Sequence, residues 1–241
     1  MRRLLATALL AVLLTACGGG SSAGSGELTV FAAASLTEVF PMIDPDPAYN
    51  FAGSDDLATQ IKEGAGADVY AAGSTKYPDE LFVSGLIEKP HIFATNRLVL
   101  IVPKDNPAAI SSVADLGNEG VKLVIGAEGV PIGDYTRKVL DTMGESDVLD
   151  NVVSEEDDVK GVVSKVSLGE ADAGFVYATD VKPVPDKVTT IELPEAAQAK
   201  VEYPIAVVKG TERAEAARDY VDLVLGPEGQ RALADAGFGP P

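Results

Sequence analysis

Short apolar runs bounded by glycine or polar turns alternate along this chain with stretches whose apolar positions recur at helical spacing. Residues 28–33 (LTVFAA), 68–72 (DVYAA), 97–102 (RLVLIV), 122–125 (KLVI), 173–177 (AGFVY) and 201–208 (VEYPIAVV) read as buried strands. Residues 36–40 read as helical until Pro41. Residues 54–64 (SDDLATQIKEG) predict a helix with Ser54 as N-cap, acids in its first turn, Lys62 late and Gly64 closing it. Further helical patterns cover 134–143, 159–168 and 213–225. Strands alternating with helices predict an α/β fold with mostly parallel sheets.

The first residues follow a different pattern. Arg2 and Arg3 precede an apolar run over 4–14, broken only by Thr7 and too short to span a bilayer as a folded helix, so residues 1–16 read as a signal peptide. The following LTACG (14–18) resembles the bacterial lipobox, in which the cysteine becomes the lipidated first residue of the exported chain. Cys17 is thus an expected lipid anchor. Residues 18–26 (GGGSSAGSG) complete a 17–26 tether segment, with a reach of roughly 15 to 18 Å. The expected location is outside the cell, held by lipid on the outer face of the cytoplasmic membrane.

Of the 241 residues 46% are apolar and 23% charged, which suits a globular protein with a sizeable core. The net charge is −18; the leader holds two basic residues and no acidic ones, so the exported chain carries 17 basic against 37 acidic side chains, a net −20. Nucleic acid is excluded as a partner, because it needs clustered basic residues. The single cysteine excludes a disulfide framework and a CxxC zinc site, and a single histidine, His91, leaves no basis for a His-ligated metal or a Ser/His/Asp triad. GxxxxGK[ST] and HExxH are missing, no GxSxG follows a strand, the one match lying in the Gly/Ser tether at 20–24, and the chain does not read as an enzyme. The acidic run 155–158 precedes an apolar-periodic helix and reads as acids favoured by its N-terminal dipole. What remains are two junctions, at Ser35 and Ser54, where a hydroxyl sits as a strand or loop passes into a helix; each is an ordinary cap taken alone, but together they permit neutral donors to hold an oxyanion.

The segment TVFAAASLT (29–37) resembles the N-terminal signature of the periplasmic molybdate-binding protein (ModA) family, the capture components of molybdate ABC transporters. FAGS (51–54), GAGADV (64–69), NRLVLIVP (96–103), VPIGDY (130–135), EDDVKG (156–161), GFVYATD (174–180) and VEYP (201–204) follow in order. The resemblance implies a type II periplasmic-binding-protein fold, two α/β lobes joined by two crossover strands: residues 27–102 with 206–241 in lobe one, 103–205 in lobe two. It also implies a monomer without cofactor that binds molybdate or tungstate and delivers it to an ABC permease, the metal being held only as its oxyanion. The implied ligand contacts are the hydroxyl and N–H groups of Ser35 and Ser54, the backbone N–H of Ile132 and of Val159, and the hydroxyl of Tyr177. Such a set is all donors, as a fully deprotonated tetrahedral dianion requires. The chain departs from the family in the short, Pro-rich stretch between Ser35 and Ser54 and in the acids Asp55 and Asp56 beside Ser54. A protein of the same fold for sulfate or phosphate stays open as the alternative.

Overall fold

Alternation along β1 (Thr29–Ala33) decides the layering of one half of the molecule. The computed structural model describes residues 27–241, and the expected signal peptide, Cys17 and the whole tether lie outside the described residues. In β1, Val30 and Ala32 turn to one face and Phe31 to the other; β3 (Val69–Ala71) repeats this with Val69 and Ala71 against Tyr70. Both faces are apolar and both are covered. From α2 (Ser54–Lys62) and α3 (Lys76–Val83), Leu57, Ile61 and Leu81 pack on the Phe31 and Tyr70 side. On the other side lie Phe40 of α1 (Phe40–Ile43), Tyr220 and Val224 of α6 (Ala214–Leu225) and Leu233 of α7 (Pro227–Ala236). With β2 (Ala48–Ala52), β4 (His91–Asn96) and β10 (Val201–Val207), the sheet order is β2-β1-β3-β10-β4.

The second sheet is assembled from β5 (Leu98–Pro103), β6 (Leu123–Gly126), β7 (Val152–Glu156), β8 (Ala173–Tyr177) and β9 (Val188–Glu192) in the order β7-β6-β8-β5-β9. The helices α4 (Pro131–Met143) and α5 (Val159–Ser167) pack against it. The chain passes between sheets twice, at Arg97 and between β9 and β10. Gln198 fastens these passages together: its side-chain amide accepts from the Leu98 N–H and donates to the Leu98 carbonyl, both at 2.9 Å.

Four expectations change. Parallel pairs (β1 with β2 and β3, β6 with β7 and β8) are matched in number by antiparallel ones, because β5 and β10 run against both their neighbours. β5 belongs to the second sheet and all of β10 to the first, so the passages precede the positions near Pro103 and Ala206 that the sequence suggests. The cause is local: β4 (HIFATN) and β5 (LVLIVP) follow one another with only Arg97 between them, and periodicity does not reveal a change of partner. Pro41 does not end a helix but sits in the first turn of α1, where its missing N–H costs nothing. Gly53, not Ser54, is the N-cap residue of α2, and Ser54 opens the helix itself.

Candidate functional site

Strands β1, β2 and β3 of one sheet and β6, β7 and β8 of the other end on a common cleft, and the turns after them supply its walls. In open α/β sheets the carboxyl ends of strands are where ligands sit. Ser35, Ser54, Ile132, Val159 and Tyr177 all line one small cavity there, with Gly73 beside them, and its empty volume is about 240 Å³. That is below the 300 Å³ or so of a typical pocket for larger organic ligands. The first two residues come from the first sheet's lobe and the other three from the second's.

Each group reaches the cavity for a local reason. Ser35 lies in the 3-10 turn Ala34–Leu36 that follows β1 directly. Ser54 is the first residue of α2, its hydroxyl accepting from the Gly73 N–H at 3.0 Å and its carbonyl accepting from the Tyr70 hydroxyl at 2.6 Å. Ile132 is in the first turn of α4, after Pro131, so its N–H has no intrahelical acceptor. A Cβ on Gly133 would collide with the Ala127 carbonyl oxygen, so only glycine lets α4 start this close to the end of β6. Val159 opens α5, capped by the Asp158 carboxylate, which accepts from the Gly161 N–H at 2.9 Å. Tyr177 closes β8.

The cavity presents donors and no cation. Its walls contain neither Lys nor Arg, and the one carboxylate among them, Asp158, is engaged as the α5 cap. The N-termini of α2, α4 and α5 add partial positive charge from both sides. The Tyr177 hydroxyl is buried with no hydrogen-bond partner, and burial above all pushes its pKa well above the ordinary tyrosine value. It therefore stays protonated and able to donate. Each Ser hydroxyl already has one partner: the Ser54 Oγ accepts from the Gly73 N–H, and the Ser35 Oγ pairs with the Tyr203 hydroxyl at 3.0 Å, where either oxygen can donate.

The acids doubtful from sequence stay out of the walls. Asp56 is exposed, and Asp55 is half-buried along the first turn of α2, where burial, more than any neighbouring charge, raises its pKa. The run 155–158 divides: Glu155 pairs with Arg137, Glu156 with Lys165 at 3.7 Å, and only Asp158 caps the helix. His91 begins β4, exposed. Tyr70, Gly73 and Tyr203, which hydrogen-bond the two serines from behind, carry no signal that sequence reasoning connects with the site; Tyr203 stands within a matching block, VEYP, but without an assigned role.

Across the cleft the lobes touch. The Tyr77 hydroxyl donates to the Gly129 carbonyl at 2.5 Å, Lys76 pairs with Asp134 at 3.0 Å, and Lys160 lies 3.8 Å from Glu38. A Cβ on Gly53 would come 2.5 Å from the Asp157 carbonyl oxygen.

A two-lobed α/β fold with a small donor-lined cleft defines a solute-binding protein, and residues 47–239 match the model of the bacterial extracellular solute-binding protein family. The chain is 40% identical to the molybdate-binding protein ModA of Mycobacterium tuberculosis, over 98% of this chain and 97% of that one. It is 30% identical to the putative ABC transporter substrate-binding lipoprotein YvgL of Bacillus subtilis, over 96% and 95%. The fold of the periplasmic molybdate-binding protein of Azotobacter vinelandii superposes with a TM-score of 0.78 at 21% identity, covering 89% of this chain and all of that one. The chain belongs to the ModA family, with the periplasmic-binding-protein fold and, like its relatives, a binding role rather than an enzymatic one.

Proposed function

We propose that this protein captures molybdate, and tungstate with it, between its lobes and delivers the oxyanion to an ABC permease, working as a monomer anchored through a lipid on Cys17. The observation that carries the reading is the orphaned Tyr177 hydroxyl in a cavity of neutral donors. A dianion without protons satisfies every such group. Hydrogen phosphate brings a proton that needs an acceptor, and sulfate has shorter bonds, so the cavity's size must separate it from molybdate. Tungstate, nearly the size of molybdate, is held equally. The long-range field of a −20 chain repels a dianion, but screening limits that to about 8 to 10 Å, and inside the cleft the helix ends and hydroxyls dominate. The lipoprotein YvgL among the relatives supports the anchor.

Thermal unfolding of the purified protein with molybdate, tungstate, sulfate, phosphate or divalent cations tests this. A ligand at a thousand times its Kd adds about 4 kcal/mol, or roughly 8 to 16 °C for a chain of this size. Molybdate and tungstate are expected to give that shift. Stabilisation by phosphate or a cation, with none by molybdate, would overturn the reading.

A further inference from the structure

Behind Ser35, at the base of the cleft, lies a hydrogen-bond relay that no ligand-contacting role accounts for. Tyr203 is fully buried, its ring in edge contact with Phe93, Tyr177 and Phe238 at centroid distances of 6.1, 5.9 and 5.4 Å. Its hydroxyl stands 3.0 Å from the Ser35 Oγ, the one hydrogen-bond partner it has among the described residues, and the Asn96 side chain lies near it. The Asn96 amide is engaged elsewhere: Oδ1 accepts from the Arg97 N–H at 2.9 Å, and Nδ2 donates to the Thr179 hydroxyl at 2.9 Å. Asn96 Oδ1 thus takes no proton from Tyr203. The phenol proton then has one acceptor, the Ser35 Oγ, since neither oxygen of the nearby Asp180 carboxylate accepts from it. A phenol is also the stronger acid of the two hydroxyls, which favours the same direction.

We propose that Tyr203, buried and with the Ser35 Oγ as its one acceptor, fixes the hydrogen-bond polarity of Ser35 and thereby determines which oxyanions the cleft admits. With Tyr203 donating to its oxygen, Ser35 has its own proton for the ligand and little capacity to accept. Ser54 is held the same way by the Gly73 N–H. Each serine oxygen thus already accepts one hydrogen bond and keeps its proton for the ligand, so a protonated oxyanion finds two poor acceptors. Tyr203 is a positioning residue, and the inference rests on the oxyanion reading above.

The test is calorimetric titration at pH 8 with molybdate, sulfate and phosphate, the last carrying one proton there. Tyr203→Phe keeps the ring and frees the Ser35 lone pair: molybdate affinity should fall roughly 3- to 10-fold, and the molybdate-over-phosphate ratio should narrow by about 10-fold. The molybdate-over-sulfate ratio should hold, because neither ion has a proton. Asn96→Asp reverses the relay, its new carboxylate taking the phenol proton so that Ser35 must donate inward, and should narrow the phosphate ratio further. This second variant decides the matter if the first does not fold. In Ser35→Ala, adding Tyr203→Phe should change neither ratio. Unchanged ratios in both variants, or sulfate and phosphate ratios moving together, would overturn the inference while leaving the binding function intact. Wild-type protein that ignores molybdate would remove the reading beneath it, in the same set of titrations.

Discussion

Tyr177 holds a hydroxyl that is buried without a partner while the lobes are together, and such a group costs about 1 to 3 kcal/mol in a closed cleft that has bound nothing. Tyr177→Phe is therefore expected to draw the ligand-free protein toward the closed form, seen as a smaller radius of gyration in small-angle scattering, while weakening molybdate binding by roughly 10-fold or more. An unchanged radius in the ligand-free variant would mean that this hydroxyl does not oppose closure. Ser35→Ala and Ser54→Ala remove donors to a charged ligand, each worth about 1.5 to 3 kcal/mol, and are expected to weaken binding by roughly 10- to 150-fold in calorimetric titration. Wild-type affinity in both would place the site elsewhere. Asp180, in the turn that follows Tyr177 and wholly buried, is a different case: burial first, against the pull of Lys160 at 3.4 Å, raises its pKa to about 6. A carboxyl that titrates near 3.9 unfolded and near 6 folded favours the fold fully below about pH 4, and that advantage is lost as pH rises through 6. The loss is roughly 3 kcal/mol. Asp180→Asn should accordingly melt higher than wild type at pH 8 and alike at pH 4; an equal difference at both values would assign the effect to packing.

At the scale of elements, the same sequence features that announce a helix also decide what its first turn faces. In α2, Asp55 and Asp56 follow Ser54 where acids suit the dipole, and neither carboxylate joins the cavity wall. Changing both to Asn is expected to leave the molybdate-over-phosphate preference intact in competition titrations. A wild-type preference for phosphate that either Asn abolished would turn one carboxylate inward and end the molybdate reading. That the serines, Ile132, Val159 and Tyr177 meet at one cavity follows the family resemblance, which marks each of them, whereas the residues by themselves single out only the junctions at Ser35 and Ser54. The strands β2, β4, β7 and β9 were not legible. β2 (AYNFA) is half-buried throughout and β7 (VVSEE) is polar for most of its length, so neither makes an apolar run; β9 (VTTIE) is mainly Thr and exposed Glu192. Their place in a sheet comes from pairing with β1, β6 and β5, partners distant in sequence. For the same reason the nearness of Asn96 and Tyr203 was unreadable: the two residues belong to neighbouring antiparallel strands more than a hundred positions apart.

Over the whole molecule, the cavity is complete only while the lobes are together, since Ser35 and Ser54 line it from one and Ile132, Val159 and Tyr177 from the other. A ligand that completes its contacts in the closed form alone must shift the equilibrium toward it. The bridges Lys76–Asp134 and Glu38–Lys160 are substantially solvent-exposed and contribute little to holding the cleft shut. Closeness of backbone is the stricter requirement. Gly53 and the Asp157 carbonyl approach so nearly that a Cβ at 53 would be 2.5 Å from that oxygen, and the obstacle is backbone, which cannot rotate aside. Gly53→Ala should fold, because Gly53 has a negative φ of −57° that alanine adopts freely, yet it should hold the lobes apart. Small-angle scattering is expected to show wild type contracting on addition of molybdate and the variant keeping its larger radius of gyration, with affinity reduced. If Gly53→Ala contracted as wild type does and bound equally well, the lobes would not need this contact, and closure could not be what assembles the five donors.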